Sequence, residues 1–385
     1  MLSALSRNNR LVFFSLALWG VGEGLWWYLL PIYLGSLGAD PVQIGLVLSV
    51  GMVLMTVSFI PSGWLTDRFS RRLIMIGGWV MGLISILVLA AAQTWQQAIP
   101  GLVLYNLSAF NMPALNSYVT AEVKPGQDVR RVFTTVFSGF TLGMLISPAA
   151  GGWLADILGL RPLFLLAAVA FAVSAVFILM IQDQPVQRAS GSRVSSSLFS
   201  SRPFVLLCGL FFLAFLFCHL GIPLAPNFLR DVRGVDLAAI GVLGSVNSLG
   251  ALVLTIGLGR WPRSRTGGLV LAELSVASYS FLMLTASAFP VVALGFFMRG
   301  GVGALRQLGA SRLGEMMPPQ SMGLGFGIYS TVVNLAFTFS PYIAGQLYAV
   351  NPIFPFVASL AGLLVVMPLT VLVGRLAWAP HQAEA

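Results

Sequence analysis

Charge is scarce in this chain: 9% of its 385 residues are Asp, Glu, Lys or Arg, where a soluble domain carries about 25%. With 57% hydrophobic residues, a soluble fold could not cover its surface with polar groups. An ordinary soluble enzyme, a disordered chain and a nucleic-acid binder are therefore excluded. Cysteine is nearly absent. Cys208 and Cys218 sit in one apolar run, and on a helix they lie roughly 15 Å apart, too far for a disulfide. The two histidines are His219 and His381, so no metal centre rich in His or Cys is expected, and no cofactor. The one lysine, Lys124, precedes Pro125. A phosphate-binding loop needs a Gly-rich turn closed by Lys and Ser/Thr, so ATP hydrolysis by that route is excluded. Acids are fewer than bases, giving a net charge of +9. The arginines stand one to three at a time between apolar segments, which is the pattern of membrane topology.

What fills the chain is hydrophobic runs of spanning length, about 20 residues each. Twelve are expected, at 11–34, 43–66, 73–92, 98–122, 131–155, 162–182, 204–229, 238–259, 268–288, 290–315, 322–347 and 353–376. The first is too long for a signal-peptide core and is expected to remain as a span. The fold class is all-α integral membrane, with twelve transmembrane helices. The Ser-, Gly- and Pro-rich stretch 183–203 reads as a linker between six-helix bundles at 1–182 and 204–385. With the N-terminus placed inside, 16 of the 21 basic residues fall in inner segments and three outside, namely Arg161, Arg230 and Arg233. That bias predicts cytoplasmic termini and a cytoplasmic linker.

The halves repeat. Pro148 of SPAAGG matches Pro341 of SPYIAG, and Glu122 of AEVKP matches Glu315 of GEMMP, both at an offset of 193. PIYL from Pro31 matches PNFL from Pro226 at 195, and IGLVLSV from Ile44 matches IGVLGSV from Ile240 at 196. Four ordered matches at nearly one offset predict a duplicated six-helix unit, a common plan among secondary transporters.

Between spans two and three stands GWLTDRFSRR, Gly63 to Arg72. Its Gly-x-x-x-Asp-Arg-x-x-Arg-Arg spacing resembles the signature loop of the major facilitator superfamily, with Ser70 where that family usually has Gly. As a cytoplasmic latch, Gly63 permits close helix approach, Asp67 meets a helix N-terminus or an arginine, and Arg68, Arg71 and Arg72 hold the loop inside. The plainer alternative is topogenic arginines with a structural Asp. Span five carries GMLISPAAGG, Gly143 to Gly152. It is similar to the Gly-x-x-x-Gly-Pro-x-x-Gly-Gly element of the exporter, or drug–proton antiporter, branch, with Ser147 replacing one Gly. Gly143, Gly151 and Gly152 would let helices touch and Pro148 would bend the helix where they do. The alternative is packing with no bearing on direction. The buried Arg that the family places in span four is Asn106 here, and its repeat partner in span ten is Arg299. The resemblance implies that spans one, four, seven and ten line a central cavity.

Ionisable groups inside a bilayer cost several kcal/mol and need a reason. Glu23 lies about 18 Å into span one, near mid-depth, with Trp19, Trp26 and Trp27 at helical spacing on its face. A carboxylate among indoles suits a cationic or amphipathic substrate and can also carry a proton. The alternative is a structural pair for Glu23 and interface anchoring for the tryptophans. Arg299 is also near mid-depth, where it can face Glu23, Asn106 or an anionic substrate. Arg306 lies two turns further along the same face, and a Glu273–Arg306 pair is expected to be structural or to act as a gate. His219 can relay protons or simply pack. Glu122 and Glu315, at matching inner ends, are expected to pair with motif-loop arginines.

These features together predict a plasma-membrane secondary transporter working by alternating access. Its expected role is proton-coupled efflux of an amphipathic or cationic compound. The alternative is uptake of a sugar, organic acid or other metabolite, with a membrane enzyme or channel behind it. The expected partners are lipid, substrate and protons, not nucleic acid, and the chain is expected to act as a monomer.

Overall fold

The computed structural model describes all residues except 1, 3–4, 125, 185–201, 261–265, 315–321 and 379–385; at 59–68, 130, 202, 322–324 and 375–378 only the backbone is described. The described residues contain sixteen helices and no strand. In chain order these are α1 (Arg7–Trp26), α2 (Leu30–Ser36), α3 (Pro41–Arg68), α4 (Arg71–Ala91), α5 (Trp95–Ser108), α6 (Met112–Ala121), α7 (Val129–Leu158) and α8 (Leu160–Leu179). There follow α9 (Arg202–Leu220), α10 (Ala225–Asn227), α11 (Leu237–Gly259), α12 (Gly267–Thr285), α13 (Phe289–Arg299), α14 (Gly301–Gly314), α15 (Met322–Val350) and α16 (Phe354–Trp378). Among the described residues, nine stretches are long and apolar enough to cross a membrane by length and composition alone.

Taken with their continuations, the helices form twelve rods at the twelve expected spans. Four are interrupted: α1 passes into α2 through a 3₁₀ turn at Trp27–Leu29, and α5 into α6 through another at Ala109–Asn111. Between α9 and α10 lies an irregular stretch before Ala225, and Gly300 separates α13 from α14. The interrupted rods are spans one, four, seven and ten. Proline accounts for the restart of α2, α6 and α10, each with Pro31, Pro113 or Pro226 in its first two positions, where the missing N–H costs nothing. At Gly300 a Cβ would overlap the Ala251 backbone nitrogen, so α11 passes too close for a side chain. By contrast, α7 runs unbroken through Pro148 and α15 through Pro341.

The chain divides into two compact units. Unit 1 holds Met1–Asp40, Val50–Ser190 and Leu229–Ser245; unit 2 holds Pro41–Ser49, Gly191–Phe228 and Val246–Ala385. The first turns of α11 thus belong with the first-half helices, and those of α3 with the second-half ones. In unit 1, α1 lies on α7 along Gly20, Gly139, Gly143 and Gly151, where any Cβ would overlap backbone of the facing helix. Ser147 sits in the same seam, its hydroxyl donating to the Gly143 carbonyl at 2.8 Å and approaching the Gly20 carbonyl at 3.2 Å. A buried network adds the Trp79 indole N–H to Ser174 Oγ (2.8 Å) and Ser15 to Ser174 (2.8 Å), tying α1, α4 and α8 together. In unit 2, Ser280 meets Ser359 at 2.9 Å and the Tyr279 hydroxyl donates to the Gly221 carbonyl at 3.0 Å.

The repeat reappears as one crossing built twice. In unit 1, Gly241 of α11 abuts the Pro148 carbonyl of α7, and the Ala149 N–H donates to Ser245 Oγ at 3.1 Å. In unit 2, Gly45 of α3 abuts the Pro341 carbonyl of α15, and the Tyr342 N–H donates to Ser49 Oγ at 3.0 Å. Proline disturbs the backbone bonding of its own turn. In each copy a serine from the crossing helix accepts from the N–H that follows the proline.

Candidate transport site

Unit 1 contains a cavity of about 520 Å³ beside α1, within the range of small-molecule sites. Glu23, at the end of α1, faces it with Trp19, and Trp27 reaches it from the 3₁₀ turn. Its carboxyl group accepts from the Tyr105 hydroxyl and the Trp19 indole N–H. The Trp19 ring stacks on Phe171 at 4.0 Å between centroids and meets Trp79 edge-on at 5.3 Å. Glycines on neighbouring helices make the room. A Cβ at Gly82 would overlap the Trp19 ring, one at Gly78 the Asn111 amide, and one at Gly51 the Asn106 amide. Met52 and Met55 line another wall; their flexible thioethers adapt to varied shapes. The Asn106 amide donates to the Leu102 carbonyl at 2.8 Å. Asn111 donates to the Ser108 carbonyl at 2.8 Å and leaves its buried Oδ1 without a partner. Among the described residues, no basic side chain lines the cavity. Its distinctive polar feature is the Glu23 carboxylate, a group that suits a cation or a hydrogen-bond donor.

Several expectations need correction. Trp26 does not line the cavity: its ring is buried, packed edge-on against Tyr105 at 5.0 Å and tilted against Phe164 at 5.6 Å. The Glu273–Arg306 pair does not form. Glu273 lies on the buried face of α12 and accepts from the Thr370 hydroxyl of α16 at 2.7 Å, with its other oxygen unpartnered. Arg306 lies on the accessible face of α14. Nor do Arg299 and Arg306 share one continuous helix, because the Gly300 break falls between them. The Arg299 guanidinium lies 5.3 Å from the Phe296 ring centre and 6.0 Å from that of Tyr279. His219 Nδ1 is 2.7 Å from Ser340 Oγ, and its ring is 4.7 Å from Phe337.

At the other end of unit 1, the motif loop is anchored to the start of the expected linker. Ser70 donates to Asp183 at 2.5 Å, and Arg72 to the Leu179 carbonyl at 2.6 Å. Glu122 meets Arg71 only through a third residue: Gln184 accepts from Arg71 at 3.1 Å and donates to Glu122 at 3.1 Å. The packing around Gly63, the side chains of Asp67 and Arg68, and all of Glu315 lie outside what is described. Gly143 and Gly151 pack on α1, while Gly152 packs on Leu237 and Gly241 of α11. Tyr105, Trp79, Thr370, Ser340 and Gln184 carried no spacing signal in the sequence, although Tyr105 is the neighbour of Asn106.

The family model described as Major Facilitator Superfamily matches residues 12–272. Multidrug resistance protein MdtG of Proteus mirabilis (strain HI4320) is 30% identical over 264 residues, 64% of this chain and 65% of that protein. The protein of that name from Yersinia enterocolitica (serotype O:8 / biotype 1B, strain NCTC 13174 / 8081) is 26% identical over 374 residues, 92% of this chain and 84% of that one. The alignment to the Proteus relative thus spans a little under two thirds of its length. Among solved structures, the nucleoside transporter NupG superposes with a TM-score of 0.75 at 13% identity, covering 97% of this chain and 99% of the other. At that identity the likeness concerns the fold alone. With the interrupted and continuous rods, the repeated crossing and a family match over most of its length, the chain belongs to the major facilitator superfamily of membrane transporters.

Proposed function

We propose that this protein exports a small cationic or amphipathic molecule across the bacterial plasma membrane in exchange for protons. Its family is one of transporters, not enzymes. The observation that carries the proposal is the Glu23 cavity. A carboxylate held by Tyr105 and Trp19 and an aromatic and methionine wall recognise a positive or donor-rich apolar compound. One carboxylate serves both ligands, because a proton and a cation compete for the same oxygens. Proton entry then drives substrate exit, and antiport follows from that competition. The relatives named for multidrug resistance fit this reading.

In this proposal the two six-helix bundles, 1–182 and 204–385, rock about a midplane site as a monomer, with the linker 183–203 and both termini cytoplasmic. Asn106 lines the same cavity; Arg299 and His219 tune the second half. Gly63, Asp67, Arg68, Glu122 and Glu315 form the inner latch. The test is transport in proteoliposomes with a lipophilic cation. Glu23→Gln should abolish proton-driven accumulation and leave downhill exchange. Accumulation that survives the substitution would refute the carboxylate's role.

A further inference from the structure

Three arginines escape the inner bias of the sequence, and two of them, Arg161 and Arg230, line one cavity in unit 1. This second cavity has a volume of about 380 Å³, and its wall also includes Tyr33, Ser36, Gly159 and Leu237. It lies at the far end of α8 from the motif loop. Arg161 stands in the first turn of α8, whereas Arg72 bonds to Leu179 at the last residue of that helix. This cavity is separate from the Glu23 site and shares no lining residue with it.

The wall is built to present positive charge. Arg161 donates to the Ala92 carbonyl at 2.8 Å and to the Tyr33 hydroxyl, which itself donates to the Leu89 carbonyl at 2.6 Å. A guanidinium has five N–H donors, so these contacts fix its plane and leave donors to spare. Arg230 lines the same wall and is exposed. Among the described residues, no acid lines the cavity. Asp156, next to the lining residue Ala155 in sequence, has both oxygens occupied by the Leu237 and Ala238 N–H groups, at 3.1 and 2.8 Å. Asp236 accepts from the Ala239 N–H at 2.6 Å, and Asp231 is engaged as well. The α8 N-terminus enters the wall through Gly159 and Leu160 without a side-chain cap, adding its partial positive charge.

We infer that this cavity binds a phosphate-type oxyanion, gripped by the Arg161 and Arg230 guanidinium groups. Paired guanidinium forks match the spread of such oxygens. The same chemistry comes either as free phosphate or as the headgroup of an anionic lipid. Bound there, the anion cross-links the α7–α8 turn to the segment that enters α11, so occupancy raises thermal stability.

The experiment uses the full chain in uncharged detergent, with thermal unfolding followed in sodium phosphate against sodium chloride at equal ionic strength and pH. A second arm compares phosphatidylcholine nanodiscs with and without phosphatidylglycerol. Arg230→Gln is the main variant, since that side chain is exposed; Arg161→Lys, which keeps the charge but loses the fork, repeats the test should the first misfold. Stabilisation by phosphate that needs about tenfold more anion in the variant supports a soluble ligand. Stabilisation by phosphatidylglycerol alone, lost in the variant, supports a headgroup. An equal response of wild type and variant, or none in either arm, overturns the site.

Discussion

Two seams of the repeat pack at different distances. In unit 1, α1 meets α7 backbone to backbone, with Gly139, Gly143 and Gly151 each placed where a Cβ would strike the facing helix. The corresponding residues of α15, at the same offset of 193, are Val332, Ala336 and Ala344. There the partner α9 is held by large rings, with Phe211 edge-on to Tyr329 at 5.3 Å and Phe215 to Phe337 at 5.7 Å. The polar groups follow suit. In unit 1 Glu23 opens onto a cavity, while in unit 2 Glu273 is sealed in packing against Thr370. Duplication preserved the rods and the serine–proline crossing, while the interiors diverged. One acid is left where a ligand can reach it and the other is built into the wall.

Exchanging the fates of the two acids is the strongest test of that contrast. Glu23→Gln should remove all uphill flux, whereas Glu273→Gln should keep most of it in the same proteoliposome assay. Equal loss in both would erase the distinction. Next comes the seam. Gly143→Val places methyl groups against the Ala17 carbonyl and should cost about 3 kcal/mol or prevent folding. Ala336→Gly, its repeat counterpart, should cost about 1 kcal/mol. Thermal unfolding in detergent reads both, and a tolerated valine would show that the close approach relaxes freely. Thr370→Val leaves the buried Glu273 carboxyl without its donor and should cost about 1–3 kcal/mol; no change would mean that the bond contributes nothing. Smallest, Ser245→Ala and Ser49→Ala should each lose about 1 kcal/mol. Similar losses at the two sites support equivalent crossings, and a silent Ser49→Ala would break the symmetry.

Much of the fold was legible in the chain. The spans and the repeat follow from hydrophobic length and ordered matches, and the rods stand where those runs predict. The site was legible in its anchor and not in its partners. Glu23 and Trp19 were correctly joined, because four residues on an unbroken helix share a face. Trp26 follows Glu23 by three residues on the same helix, yet its ring is buried against Tyr105 and Phe164 instead of lining the cavity, a packing outcome that spacing does not reveal. The Glu273–Arg306 pairing failed for a related reason. Depth along two rods says nothing of their rotation, and rotation turned Glu273 towards α16.

By itself, then, the sequence determined a polytopic helical chain, its duplicated halves and the scarcity of intramembrane charge. Those properties arise locally, since a backbone in lipid must satisfy its own hydrogen bonds within each span. Tertiary structure alone decided which polar groups meet. It placed Glu23 on a cavity, buried Glu273 beside a threonine and brought Arg161 and Arg230 to one wall. These outcomes depend on where a glycine lets another backbone approach and on how each rod is turned, and both are settled only when the helices pack.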